Sequence, residues 1–265
     1  YCPDRYEDTY TTSFCVENQG REQGMCVAQC DFSLLTNGCK EGYLCQPAYR
    51  MNDYSTAKAV CLPADNDQVL PQYCYGEQEY RDTTIESWNP GLEMAGENIC
   101  WVEAPMILST PLSGVDFRYR ESVEPAGIKV ACAMAKPLRR LINEILIPKG
   151  IVEIVHLGTY NCRTMGGSSQ LSQHSFATAI DFAGFLDVDG NYYSVVEHWE
   201  HDTDTPQTPE GQMLYDIVIE MDEKDLFNVI LTPNYNAAHD DHFHVDLTPG
   251  LDYFYSNIDV WVGGH

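Results

Sequence analysis

Residues 172–181 (SQHSFATAID) and residues 241–246 (DHFHVD) carry the pattern that decides how this chain folds and what chemistry it can support. The first stretch places a histidine and an aspartate seven residues apart, with the aspartate inside a predicted strand. In the second, strand alternation puts His242 and His244 on one face, about 6.6 Å apart. A catalytic zinc site needs three nitrogen or oxygen ligands and one open position. The two stretches together therefore predict a zinc site.

The sequence around these stretches predicts an α+β fold with a mainly antiparallel sheet and flanking helices. Three- and four-residue apolar spacing predicts a helix over residues 128–146, which Pro137 should kink or interrupt. Thr208 and Pro209 are typical of a helix start, and predict a second helix to about residue 221. The predicted strands are residues 151–158, a hairpin over 178–196 that turns at Asp189-Gly190, and strands near 227–232 and 241–247.

Cysteines are concentrated at the front of the chain, where eight of the eleven lie within the first 74 residues. No paired Cys-x-x-Cys knuckle is present, so disulfides are favoured over zinc there. Residues 1–72 are predicted to be a loop-rich, disulfide-stapled module, residues 73–97 a connecting segment, and residues 98–265 the main domain. Such cysteine usage indicates an oxidising compartment, either extracellular or periplasmic.

Composition limits the partners of the chain. Its 265 residues contain 15 Lys and Arg against 40 Asp and Glu, for a formal net charge of −25. Such a polyanion is repelled by nucleic acid and by anionic lipid surfaces. No apolar run approaches the roughly 20 residues that cross a bilayer. The chain starts at Tyr1, which suggests that an export signal has been removed; its oligomeric state is not predicted.

The stretches SQHSFATAIDFAGF and NYNAAHDDHFHVDL together resemble the extensin-like C-terminal domain family. That family is placed with the zinc peptidases that include lysostaphin, D-alanyl-D-alanine metallopeptidases and hedgehog relatives. The resemblance extends back to Tyr160-Asn-Cys162-Arg163 and to Cys132, covering residues 98–250. One departure is Ala177, where the family usually has glycine.

The resemblance implies that His174, Asp181 and His244 bind zinc, and that His242 assists the reaction without binding the metal. Zinc held in this way lowers the pKa of its water from about 15.7 to about 7. His242 is suited to act as base or oxyanion stabiliser. Arg163 either holds a substrate carboxylate or the oxyanion, or forms a structural ion pair. His239 either flanks the site or caps a turn.

The implied structure includes a disulfide between Cys132 and Cys162, with the partner of Cys100 left open. The implied function is a secreted zinc peptidase that hydrolyses amide bonds in peptidoglycan stem peptides, as a carboxypeptidase or an endopeptidase. The alternative is a catalytically silent, zinc-bearing binding or adhesion module. A third reading, a disulfide-rich structural protein, leaves the set of histidines and aspartate unexplained.

Overall fold

The structure is a computed structural model of the chain. It describes residues 13–16, 25–30, 39, 43–50, 53–63, 85–88, 90, 93–103, 105–248 and 251–255. The strands of these residues are β1 (Ser13–Val16), β2 (Met25–Ala28), β3 (Tyr43–Arg50), β4 (Asp53–Pro63), β5 (Ile85–Ser87), β6 (Glu93–Ala95), β7 (Asn98–Cys100), β8 (Pro105–Leu108), β9 (Asp116–Tyr119), β10 (Ile128–Ala131), β11 (Ile151–Gly158), β12 (Ala179–Asp187), β13 (Tyr192–Ser194), β14 (Val229–Leu231), β15 (Phe243–Asp246) and β16 (Tyr253–Tyr255).

Helices are fewer than strands in the described part of the chain. They are α1 (Cys132–Leu141), α2 (Val195–His198) and α3 (Pro209–Glu223). Helix α1 continues as a π-helical turn over Ile142–Leu146 and a 3-10 turn over Ile147–Lys149. Two more 3-10 turns span Gln173–Phe176 and Ala237–His239. None of the helices described here is long and apolar enough to cross a membrane.

A seven-stranded sheet forms the centre of the fold. Its strand order is β16-β14-β15-β12-β11-β9, and β13 also pairs with β12. Strand β12 runs antiparallel to β11, β13 and β15, whereas β9 and β16 join the sheet in parallel. This arrangement confirms the α+β class with a mainly antiparallel sheet.

One face of this sheet is the hydrophobic core. Alternate residues of β12, Ile180 and Phe182, and of β15, Phe243 and Val245, are fully buried in one cluster with apolar residues of α1 and α3. Successive strand residues point to opposite faces. The residues between them, Asp181 and His244, therefore lie on the other face, where the candidate site is built.

The prediction of a helix over residues 128–146 is wrong at its start. Residues 128–131 form β10, which pairs antiparallel with β8, and the helix begins only at Cys132. The β-branched Ile128 and Val130 are buried while Lys129 between them is exposed, a strand alternation that the helical spacing hid. Pro137 lies inside α1 without ending it.

The other predicted elements are confirmed. Residues 151–158 form β11, and the hairpin of β12 and β13 turns at Gly190, whose φ of +85° suits glycine. Helix α3 starts at Pro209, and the Thr208 hydroxyl accepts a hydrogen bond from the Gly211 amide. Strands β14 and β15 lie within the predicted ranges.

The N-terminal region contains two antiparallel hairpins, β1–β2 and β3–β4. Disulfides join Cys30 to Cys45 and Cys39 to Cys61, which confirms disulfide pairing there. The long β3–β4 pair is more regular than the loop-rich module that the sequence predicted. The domain boundaries at residues 72 and 98 stay a prediction.

Candidate metal centre

Two neighbouring strands place an aspartate and a histidine side by side. In the β12–β15 register, Asp181 lies directly opposite His244. Both point away from the core, and His244 Nδ1 lies 2.8 Å from Asp181 Oδ1. A cross-strand pair of this kind is rigid because the backbone hydrogen bonds of both strands fix its position.

His174 reaches the same point from the short 3-10 turn that precedes β12. Ser172 caps this turn by accepting a hydrogen bond from the His174 amide, and the Ser175 hydroxyl donates to the Arg163 carbonyl. The turn ends at Ala177, in the left-handed region with φ of +54°. Glycine adopts such a φ most easily, so Ala177 holds a conformation that few other residue types take. His174 is buried, with 3 % of its surface exposed.

The three side chains bring their ligand atoms to distances that suit one small cation. His174 Nε2 lies 3.2 Å from Asp181 Oδ1 and 3.3 Å from His244 Nδ1. With metal–ligand bonds of about 2.0–2.1 Å, the ligands of a tetrahedral zinc lie roughly 3.3 Å from one another. The donor set of two imidazoles and one carboxylate is also one that zinc accepts. The residues therefore fit a zinc ion.

The far nitrogen of each of these imidazoles has its own partner. His174 Nδ1 donates to the Thr159 carbonyl at 2.8 Å, and His244 Nε2 lies 3.0 Å from Asp246 Oδ2. These bonds leave His174 Nε2 and His244 Nδ1 facing Asp181. Metal-binding histidines are commonly oriented in this way by a carbonyl or carboxylate behind them.

The electrostatics of the centre favour a cation. Burial alone would raise the pKa of Asp181, but hydrogen bonds from His174 and His244 outweigh it and hold this pKa well below its usual range. Burial would lower the pKa of His244, but hydrogen bonds to Asp181 and Asp246 raise it to about 9. Without a metal the centre therefore holds a proton between His244 and Asp181, at the position where a metal would bind.

His242 lies beside this group without joining it. Its Nε2 is 3.5 Å from Asp181 Oδ1, and its Nδ1 is 2.9 Å from Asp241 Oδ1. Asp241 in turn forms an ion pair with Arg120, with 2.6 Å between Nη1 and Oδ2. Burial would raise the pKa of Asp241, but its bonds to His242 and Arg120 lower it. His242 is therefore not part of the group formed by His174, Asp181 and His244, and its role beside a metal stays a prediction.

Arg163 and His239 border the centre. Arg163 is exposed, and among the described residues none forms a hydrogen bond or ion pair with its guanidinium. The ring of His239 is 5.1 Å from that of His242 and 5.9 Å from that of His244, between centroids. Its Nδ1 also bonds Asn236 Oδ1, so His239 both flanks the site and bonds within its turn. Burial, together with the nearby His242 and His244, lowers the pKa of His239 to about 4.

Several residues of the site had no signal in the sequence. Arg120 follows β9, at the opposite edge of the sheet from β16, and Thr159 contributes only a backbone carbonyl. His156 is buried near Asp181, and its Nδ1 has no hydrogen-bond partner among the residues that the structure describes. Burial lowers its pKa to about 4. These residues belong to the site only through strand pairing, which the spacing of motifs does not reveal.

The predicted disulfide between Cys132 and Cys162 is wrong. Cys162 is bonded to Cys100, at the end of β7, and Cys132 is bonded to another cysteine. The Cα atoms of Cys100 and Cys162 are 5.6 Å apart, within the range that a disulfide requires. The bridge therefore ties β7, rather than α1, to the segment that carries Thr159 and Arg163.

Comparison with known proteins gives a family for most of the chain. Among curated proteins and solved structures, none matches this sequence. The family model described as extensin-like protein C-terminus matches residues 73–253, which include every residue of the centre described above. Because this match spans more than half of the chain, the protein belongs to the extensin-like C-terminal family.

Proposed function

We propose that this protein is a secreted zinc-dependent peptidase that hydrolyses amide bonds, with peptidoglycan stem peptides as its substrate. The observation that carries the proposal is the spacing of His174 Nε2, Asp181 Oδ1 and His244 Nδ1, which lie 2.8–3.3 Å from one another. The assignment to the group of zinc peptidases that includes lysostaphin and the D-alanyl-D-alanine metallopeptidases belongs to the same proposal.

The three ligand residues leave room for catalysis. Structural zinc sites are commonly closed by four protein ligands, whereas catalytic sites keep a position for water or substrate. No fourth His, Cys, Asp or Glu joins this group within the described ranges. Zinc, when bound, supplies Lewis acidity that activates water and polarises an amide carbonyl.

His242 is the residue that we propose for proton transfer during hydrolysis. Its Nε2 lies within 3.5 Å of Asp181 Oδ1, so it borders the centre, and 9 % of its surface is exposed. An imidazole nitrogen can both accept and donate a proton, which suits a group that accepts a proton and then returns it to the leaving amine. His242 therefore takes the role of general base and acid in this proposal.

Arg163 supplies a positive charge where the chain as a whole is strongly negative. Burial and the nearby His242 and His244 lower the pKa of His239, and the exposed Arg163 guanidinium adds to this effect. Guanidinium binds carboxylate through two parallel hydrogen bonds. Stem peptides carry free carboxylates, so Arg163 would orient such a substrate against the overall charge of −25.

Secretion is consistent with the oxidised cysteines. The disulfides Cys30–Cys45, Cys39–Cys61 and Cys100–Cys162 are typical of proteins that work outside the reducing cytosol. Cell-wall peptides are available to a peptidase in that compartment.

Hydrolysis tests the proposal directly. The zinc-loaded protein is incubated with purified peptidoglycan and with synthetic stem peptides, and the products are identified by mass spectrometry. We expect His242→Ala to keep its zinc and to lose turnover by about 10²–10⁴-fold. A matched control is His198→Ala, a histidine of α2 whose Nδ1 accepts from the Ser194 amide. Zinc-bound wild type that cleaves no peptide across the panel would instead support the silent binding module.

A further inference from the structure

The Asp241 carboxylate bonds to His242, and the Arg120 guanidinium bonds to Asp241. Asp241 Oδ1 lies 2.9 Å from His242 Nδ1, and Asp241 Oδ2 lies 2.6 Å from Arg120 Nη1. The Arg120 amide donates to the His156 carbonyl at 2.9 Å, which anchors the residue after β9 to β11. The ion pair therefore joins two segments 121 residues apart in sequence and fixes both carboxylate oxygens of Asp241.

Hydrogen-bond chemistry decides which nitrogen of His242 carries the proton. An ionised carboxylate only accepts, so a bond between Asp241 Oδ1 and Nδ1 requires a proton on Nδ1. The other nitrogen, Nε2, is 3.5 Å from Asp181 Oδ1, too far for a competing bond of equal strength. In the neutral imidazole, Nε2 then carries a lone pair.

We infer that Asp241 and Arg120 are positioning residues, which keep His242 in the Nδ1–H tautomer so that Nε2 faces the centre as a proton acceptor. The inference rests on the proposed function for its catalytic meaning, because an acceptor is what a general base must be. The inference also gives an order to the roles of general base and general acid: neutral His242 first accepts a proton at Nε2, and only then can it donate that proton.

The Asp241→Asn variant tests the tautomer of His242, because Arg120 decides which way the new amide group is turned. An amide offers one oxygen acceptor and one NH₂ donor in place of two oxygens. The guanidinium is always charged and only donates, so Arg120 takes the amide oxygen. The NH₂ group then faces His242 Nδ1, which must accept, and the proton moves to Nε2. The variant therefore reverses the tautomer with almost no change in shape.

Removing Arg120 should undo this effect. In the double variant Arg120→Met with Asp241→Asn, the amide is free to turn its oxygen toward Nδ1, and the original tautomer returns. Both side chains are partly exposed, 43 % for Arg120 and 35 % for Asp241, and exposed ion pairs add little to stability. The variants should therefore fold. Arg118→Met is the control, because Arg118 pairs with Glu153 on the neighbouring strand.

Nitrogen-15 NMR of the imidazole rings reads the tautomer directly. Full-length protein labelled with nitrogen-15 in histidine is measured with and without zinc at alkaline pH, where imidazole rings are in general neutral. The signal of residue 242 is assigned by its loss in His242→Gln. We expect Nδ1–H in wild type and in Arg118→Met, Nε2–H in Asp241→Asn, and Nδ1–H again in the double variant. Nε2–H in wild type, or an unchanged tautomer in Asp241→Asn, overturns the inference.

Kinetics provide the second readout. We expect Asp241→Asn to lower kcat for a stem peptide by about 10²-fold or more with little change in KM, and the double variant to regain most of that loss. A single variant with wild-type kcat contradicts the positioning role. Wild type that cleaves no peptide contradicts the proposed function instead, and in that case the tautomer spectra alone decide the inference.

Discussion

Removing the Cys100–Cys162 disulfide should weaken both the fold and the metal centre. The residues around Cys162 hold the turn that carries His174: the Thr159 carbonyl accepts from its ring, and the Asn161 amide donates to its carbonyl at 3.1 Å. The Arg163 amide is also bonded to the Ser175 hydroxyl. The double variant Cys100→Ser with Cys162→Ser frees this segment from β7. Because both cysteines are replaced, neither is left as an unpaired thiol.

The size of the effect follows from the length of the loop that the bridge closes. The two cysteines are 62 residues apart, and closing a loop of that length lowers the entropy of the unfolded chain enough to stabilise the native state by about 4 kcal/mol. We expect the free energy of unfolding to fall by about this amount. Zinc affinity should fall as well, because part of the binding free energy must then order the segment that positions His174.

Urea unfolding of the metal-free protein measures the first effect, and chelator competition measures the second. The matched control is Cys30→Ser with Cys45→Ser, which removes a bridge within the N-terminal hairpins and should leave zinc affinity unchanged. A loss of stability below about 1 kcal/mol would show that the bridge does little for the fold. Equal zinc affinity in the Cys100–Cys162 variant and wild type would show that the bridge does not position His174.

Three further predictions concern single side chains. Asp246→Asn should weaken zinc binding about 10–100-fold in chelator competition, because Asp246 orients His244; unchanged affinity contradicts this. Burial raises the pKa of Glu103 from 4.5 to about 8. The native state is therefore most stable, as far as Glu103 is concerned, below pH 4.5, and this contribution to stability is lost as the pH rises through 8. Glu103→Gln should then raise the free energy of unfolding in urea by about 1 kcal/mol or more at pH 8 and change it little at pH 4; equal shifts at both values contradict this. Arg163→Ala should keep zinc and raise KM about 10-fold or more for a stem peptide with a free carboxylate, but not for its amide; equal effects on both contradict carboxylate binding.

The sequence was sufficient for the parts of the site that depend on local spacing. Strand alternation fixes the face that Asp181 and His244 occupy, because each has an apolar neighbour on both sides. Their role as metal ligands is implied by the family resemblance and stays a prediction. The cap of α3 at Thr208 and the turn at Gly190 are local in the same way. Both kinds of feature need only a few neighbouring residues, so they could be predicted.

Features that depend on which strands become neighbours could not be predicted. Arg120 reaches Asp241 only because β9 and β15 belong to one sheet, and Cys100 meets Cys162 only after β7 approaches the segment behind β11. Residues 128–131 satisfy helical spacing, yet they pair with β8, because tertiary contacts outweigh weak local preference. A single sequence contains no direct record of such pairings.

The zinc content of the purified protein under chelator competition shows whether His174, Asp181 and His244 bind a metal. We predict one zinc per chain in wild type, loss of that zinc in His174→Ala, and full retention in His242→Ala, which removes an imidazole beside the centre without removing a ligand. Wild type that retains no zinc, or a His174→Ala variant that still retains one zinc per chain, would show that these residues do not form a zinc site.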